Sequence, residues 1–101
     1  YLNQVRTRAG LPAVTATDQG ALRTIIAHER RVELAFENKR WFDLVRTGQA
    51  IPVMTKYGTR MKQEFAYLLP TSFNVTENKL IYAIPFRETQ VNPALGQNPG
   101  Y

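Results

Sequence analysis

Residues Glu29 to Gly48 read ERRVELAFENKRWFDLVRTG, and the fold turns on how this stretch is taken. At 100° per residue, Leu22, Ile25, Ile26, Val32 and Phe36 share one helical face. Glu29, Glu33 and Arg40 fall in the middle of that same face. A solvated helix would carry such charges on its opposite side. Charges set into an apolar stripe must be paired or chemically employed, because an unpaired buried charge is too costly. Partners lie at helical steps: Arg30, Glu33, Glu37, Arg40, Asp43 and Arg46 follow one another three or four residues apart. Glu33 can meet Arg30, Glu37 can meet Arg40, and Asp43 can meet Arg40 or Arg46. With Glu29, these residues predict a buried or half-buried ion network that fixes how helices dock. On that reading Glu33→Ala or Arg40→Ala strands a charge at a cost of roughly 3 kcal/mol.

The chain has 101 residues, the length of one small domain. Its 44% hydrophobic and 11% aromatic content excludes a disordered composition. No cysteine is present, which removes disulfides, Cys-based zinc sites and a thiol nucleophile. The longest apolar runs are too short to cross a bilayer. No signal peptide is visible, and the chain does not start with Met. The opening residues already look like the last turns of a helix, with Leu2, Val5 and Ala9 on one face and Gly10 as its stop. The expectation is a fragment of a longer protein. A net charge of +5 permits nucleic-acid binding without requiring it, since many arginines sit beside acids. Lys56, Arg60 and Lys62, with Arg6 and Arg8, are the cations without acids nearby in sequence.

Along the chain, Leu11 to Ala16 reads as a loop and Thr17 as the N-cap of a helix reaching about Glu37. Asn38 suits a left-handed helix end, giving a second helix from Arg40 to Thr47 closed by Gly48; one unbroken helix to Thr47 is the alternative. Ile51 to Leu69 predicts another helix, with Pro52 in its first turn, a possible break at Gly58 and Pro70 as its end. Glu77-Asn78-Lys79 reads as a turn and Leu80 to Ile84 as a short extended run. The tail is irregular. The fold class expected is mainly α, packed helices with an irregular, partly extended C-terminal tail.

Three blocks resemble the C-terminal region of SusD/RagB-type proteins: LNQVRTRAGLPAVTATD (2–18), HERRVELAFENKRWFDLVRTGQA (28–50) and IPFRETQVNPALGQNPGY (84–101). They come in the family's order and cover over half of the chain. The family often has Gly where this chain has Asn38 and an aliphatic residue where it has Thr89, while 56–79 matches no family motif. The resemblance implies a piece, 1–101, of a larger tetratricopeptide-like helical protein. It implies a surface-exposed outer-membrane lipoprotein of Bacteroidetes-type bacteria that captures glycans or peptides. Such proteins form a lid over a SusC-like TonB-dependent transporter. It implies a binding protein, not an enzyme, with no cofactor and no nucleic acid, the ligand being held mainly by segments other than these.

Several residues admit a sharper chemical reading. Glu29 and Glu33 could form a catalytic carboxylate pair, but neighbours on one element do not flank a cleft, and ion pairing explains them better. His28, the only histidine, reads as a surface or satisfied core residue. Ser72, the only serine, has no triad to join. Trp41 and Phe42 read as core packing rather than sugar platforms. Tyr57, Tyr67 and Tyr82 are the outside candidates for ligand contact. Lys56, Arg60 and Lys62 around Tyr57 carry the alternative reading, a basic helical nucleic-acid-binding domain. Asn74-Val75-Thr76 is a glycosylation sequon in form only.

Overall fold

The computed structural model describes residues 1–101, with five α-helices and no β-strand. These are α1 (Leu2–Arg8), α2 (Gln19–Glu33), α3 (Arg40–Arg46), α4 (Ala50–Glu64) and α5 (Phe86–Val91), with one 3-10 turn at Glu77–Leu80. The mainly helical class read from the sequence is the observed one. The chain divides into two compact units, Tyr1–Arg40 and Trp41–Tyr101.

In the first unit, α1 ends where the sequence places its stop, with Gly10 at φ +71°. The cap of α2 is one residue later than expected. Asp18, not Thr17, holds extended backbone (φ −68°, ψ 135°), and its Oδ2 accepts from the Ala21 N–H at 2.8 Å. A carboxylate there also faces the positive end of the helix dipole. Helix α2 stops at Glu33, four residues short of Glu37. Phe36 (φ +67°) and Asn38 (φ +57°) both take left-handed backbone, which no helix can continue through. The intervening turn is held by Leu34 N–H to Arg30 O, Ala35 N–H to Val32 O and Glu37 N–H to Leu34 O, at 3.0, 3.2 and 3.2 Å. Two helices therefore replace the single-helix alternative, and Phe36 leaves the apolar face assigned to it, standing fully exposed. Leu22 and Ile25 are half-buried; Ile26 and Val32 are exposed.

In the second unit, α3 presents Trp41, Leu44 and Val45 inward at the i, i+3, i+4 spacing, with Leu44 buried. Phe42 points the other way and is 63% exposed, a correction to its reading as core. Thr47 Oγ1 donates to the Asp43 carbonyl at 2.7 Å, and Gly48 (φ +67°) closes the helix. Helix α4 starts at Ala50 with Pro52 inside its first turn. It runs unbroken through Gly58 and ends at Glu64, five residues before Leu69, because Phe65 turns extended (φ −124°, ψ 98°). Gly58 is buried because Phe73 lies on it: a Cβ at position 58 would come 2.7 Å from the Phe73 Cβ. Phe73 itself reaches that place with φ +62°.

The predicted extended run is shorter than expected. Leu80 belongs to the 3-10 turn, and Ile81 resumes extended backbone (φ −112°, ψ 136°). With no strand to pair against, this segment is held by side chains of the tail. The Gln97 amide donates to the Ile84 carbonyl at 2.9 Å and accepts from the Ile84 N–H at 2.8 Å. Asn98 Nδ2 donates to Tyr82 O at 2.7 Å, and the Tyr101 hydroxyl donates to Ile81 O at 2.9 Å. Backbone groups that a sheet would satisfy are satisfied by amides and a phenol instead.

Little of the chain is fully buried. Leu44 and Ala50 are the buried hydrophobic side chains, and Glu29 is the buried charged one. The exposed surface is 8342 Å². Two separate globular bodies with the lengths of the two units would together expose only about 7,000 Å². The excess therefore does not depend on how the units are arranged.

Candidate functional site

The charged groups of the first unit meet between helices rather than along one. Arg6, on the last turn of α1, donates from Nη1 to Glu29 Oε2 at 2.7 Å and from Nε to the Pro12 carbonyl at 2.9 Å. Its guanidinium fork thus ties α1 to α2 and to the connecting loop with one planar group. The side chains of Arg6 and Glu29 are 18% and 12% exposed, so this pair is largely shielded from water. Asn3 fastens the same loop: its amide donates to Val14 O at 3.1 Å and accepts from Val14 N–H at 2.8 Å. Arg8 pairs with Glu33 one turn further along α2, with 69% and 35% exposure. Arg6 and Arg8, which the sequence shows without acidic neighbours, are therefore the partners of Glu29 and Glu33. The missed signal was a long-range one, because these partners are 23 and 25 residues apart.

The other predicted network members are placed as follows. Glu37 pairs with Lys39 at 3.1 Å, not with Arg40, since the left-handed turn breaks the helical step between 37 and 40. Arg40 is half-buried at the start of α3. Asp43 pairs with Arg46 at 3.2 Å within α3. Arg30 lies exposed on α2 and is also engaged. No buried side-chain nitrogen or oxygen is left without a partner.

The three candidate tyrosines have different neighbours. Tyr57 is edge-on to Phe73, with ring centroids 5.2 Å apart, and Arg60 lies 5.5 Å above its ring. Tyr67 is tilted against Phe65 at 5.7 Å. Tyr82 lies on the extended tail segment, and all three are exposed. Two of the three cations of the basic cluster are engaged locally: Lys62 Nζ donates to Pro70 O at 2.5 Å, and Arg60 makes the contact with the Tyr57 ring. The second unit also has a shallow cavity of about 300 Å³ between Val45, Gly48, the start of α4, Glu77 and Leu80. Glu77 is its one ionisable group, which gives no nucleophile–base pair. His28 is exposed, and no group of three or more His, Asp or Glu side chains forms a metal-binding cluster. No helix is long and apolar enough to cross a membrane.

The first unit is two helices tied by the Arg6 fork, and the second is held together by side chains of its own tail. Comparison with known proteins gives the family. The model of the SusD family matches residues 1–101, and the chain belongs to that family. It is 32% identical over 109 residues to SusD-like protein P38 of Formosa agariphila, covering 99% of this chain and 19% of that protein. It is 33% identical over 109 residues to SusD-like protein P25 of the same organism, with 100% and 19% coverage. SusD-like protein P2, also from that organism, is 37% identical over 82 residues, covering 69% of this chain and 16% of the relative. The chain thus spans about a fifth of the length of the curated relatives it matches. No solved structure matches it. Family membership and the engaged basic residues give no support to the nucleic-acid alternative.

Proposed function

We propose that the chain is the C-terminal scaffold portion of a SusD-type nutrient-capture protein at the outer membrane. Its Glu29, Arg30, Glu33, Glu37, Arg40, Asp43 and Arg46 serve architecture, joined in that role by Arg6 and Arg8. The observation that carries the reading is the family match across the whole chain together with the interhelical Arg6–Glu29 link. The parent protein would hold a glycan or peptide by shape, ring stacking and hydrogen bonds, with no covalent step. It would sit against a SusC-like TonB-dependent transporter, to which this region could offer surface.

The test has two arms. Reading the gene that encodes this chain, with its neighbours, should show a lipoprotein signal upstream and an adjacent transporter gene. Titrating maltoheptaose, laminarihexaose and mannohexaose into the 101-residue chain should show no saturable heat and no hydrolysis. Sugar binding that disappears in Tyr57→Ala, Tyr67→Ala or Tyr82→Ala would make those rings a ligand site and overturn the scaffold assignment. A gene lacking both the lipoprotein signal and an adjacent transporter gene would overturn the uptake assignment.

A further inference from the structure

We propose that the tail, residues 92–101, is a mask over a backbone edge that otherwise pairs with the same edge of a second copy of this chain. The edge is residues 81–84, IYAI. Gln97 treats Ile84 as an opposite strand residue would. Its one carboxamide accepts from the Ile84 N–H at 2.8 Å and donates to the Ile84 carbonyl at 2.9 Å. That two-bond exchange is how a hydrogen-bonded pair closes in an antiparallel ladder, and a carboxamide carries the donor and acceptor of a peptide unit. A ladder makes its next such pair two residues away. There Asn98 Nδ2 takes the Tyr82 carbonyl at 2.7 Å, while the Tyr82 N–H has no protein acceptor. Residues 82 and 84 thus offer the alternating groups of a strand edge, and side chains of the tail occupy all of them but the Tyr82 N–H.

The occupant is a second copy because the edge complements itself. Two antiparallel copies centred on Ala83 set Tyr82 of each opposite Ile84 of the other, and both pairs exchange N–H and C=O. Ala83 then faces its own equivalent on the two-fold axis, in the narrow pair where Cα atoms lie about 4.5 Å apart and a methyl group fits. Pro85 falls opposite Ile81, outside the hydrogen-bonded pairs, so its missing N–H is not needed. Ile81 and Tyr82 are 64% and 66% exposed, which leaves apolar area to bury across the pair. An edge of this kind is a template for association unless something covers it. The cover is pinned at its far end. Lys79 Nζ lies 3.7 Å from the Tyr101 ring centroid and donates to the Gly100 carbonyl at 3.3 Å. Gly100 lies so close on Asn78 that a Cβ there would come 2.8 Å from the Asn78 Cβ.

Gln97→Ala with Asn98→Ala opens the edge of the full 101-residue chain. The sedimentation coefficient of this variant should rise with concentration toward that of a dimer, while the unsubstituted chain stays monomeric. Ala83→Cys reads the register, as the one thiol in a chain without cysteine. A disulfide closes at that Cα spacing without backbone movement. Oxidation to a dimer linked through position 83 should therefore be at least about tenfold faster in the opened chain than in the masked one. Adding Tyr82→Pro to the opened chain removes an N–H that only the pair uses, and should restore the monomer. A monomeric opened chain, a dimeric unsubstituted chain, equal cross-linking rates, or association that survives Tyr82→Pro overturns the proposal. Should the opened chain lose its helical dichroism, Gly100→Ala lifts the tail without touching a hydrogen-bonding side chain, and the same outcomes decide. So short an edge pairs weakly, so dilute protein shows it open to protease and concentrated protein shows it paired. None of these readouts involves a sugar or a transporter, so failure here leaves the uptake reading standing.

Discussion

Arg6 is the side chain on which the first unit turns. It satisfies a shielded carboxylate and a loop carbonyl at once, whereas Arg8 makes a single, mostly exposed pair. Desolvation sets the difference in cost. Arg6→Ala leaves Glu29 with a charge and no donor, and is expected to lower stability by about 2 kcal/mol. Arg8→Ala should cost no more than about 0.5 kcal/mol, as exposed pairs do. Urea unfolding followed by far-ultraviolet dichroism would rank them, and equal costs would refute the assignment. The cost of roughly 3 kcal/mol expected from sequence for Glu33→Ala or Arg40→Ala does not hold for Glu33, which keeps access to water; the shielded carboxylate is Glu29. Sequence spacing showed that these carboxylates need partners. It could not show which, because proximity along a helix is local and the partners arrive from another helix.

At the scale of elements, helix ends were the most legible feature where Gly supplied them: Gly10 and Gly48 both take positive φ. The early end of α2 was illegible, since Phe carries no left-handed preference and its apolar character extended the helical pattern. Asp18→Ala should cost about 1 kcal/mol through the lost cap, and Thr17→Ala much less. Hydrogen exchange at Ala21 and Leu22 would separate them, and an unchanged Ala21 rate in Asp18→Ala would contradict the capping role. Helix α4 supplies a second case. Gly58→Ala gains helical propensity of about 1 kcal/mol, but the new methyl meets Phe73. The crowding is expected to win, leaving a net loss of about 1 kcal/mol. In a Phe73→Gly background, which removes the crowding Cβ, the same substitution should instead stabilise. A double-mutant cycle reads this directly, and additive effects would refute the contact.

The whole molecule is short of core. Its mainly helical class was readable from periodicity, yet periodicity cannot say whether an apolar face is covered by the same chain. Tyr67, Leu69, Tyr82, Phe86 and Val91 are all open to solvent. The isolated chain should therefore bind a hydrophobic dye such as ANS at these side chains while still unfolding cooperatively in urea. Dye fluorescence no higher than that of a well-packed protein of the same length would refute this. The tail clasp should matter even so: Gln97→Ala removes both bonds to Ile84 and should speed protease cleavage between 81 and 86 several-fold. An unchanged cleavage rate would show the clasp to be incidental.

The fork of Arg6 also limits what drift can do to this sequence. Reversing the two charges, with Arg6→Glu and Glu29→Arg together, would preserve the attraction between positions. It would still fail, because a carboxylate has no proton to give the Pro12 carbonyl. The handedness of the pair, cation on α1 and anion on α2, is thereby dictated by an oxygen that carries no charge and belongs to a proline. Descendants that lose the arginine must rebuild the loop as well as the pair.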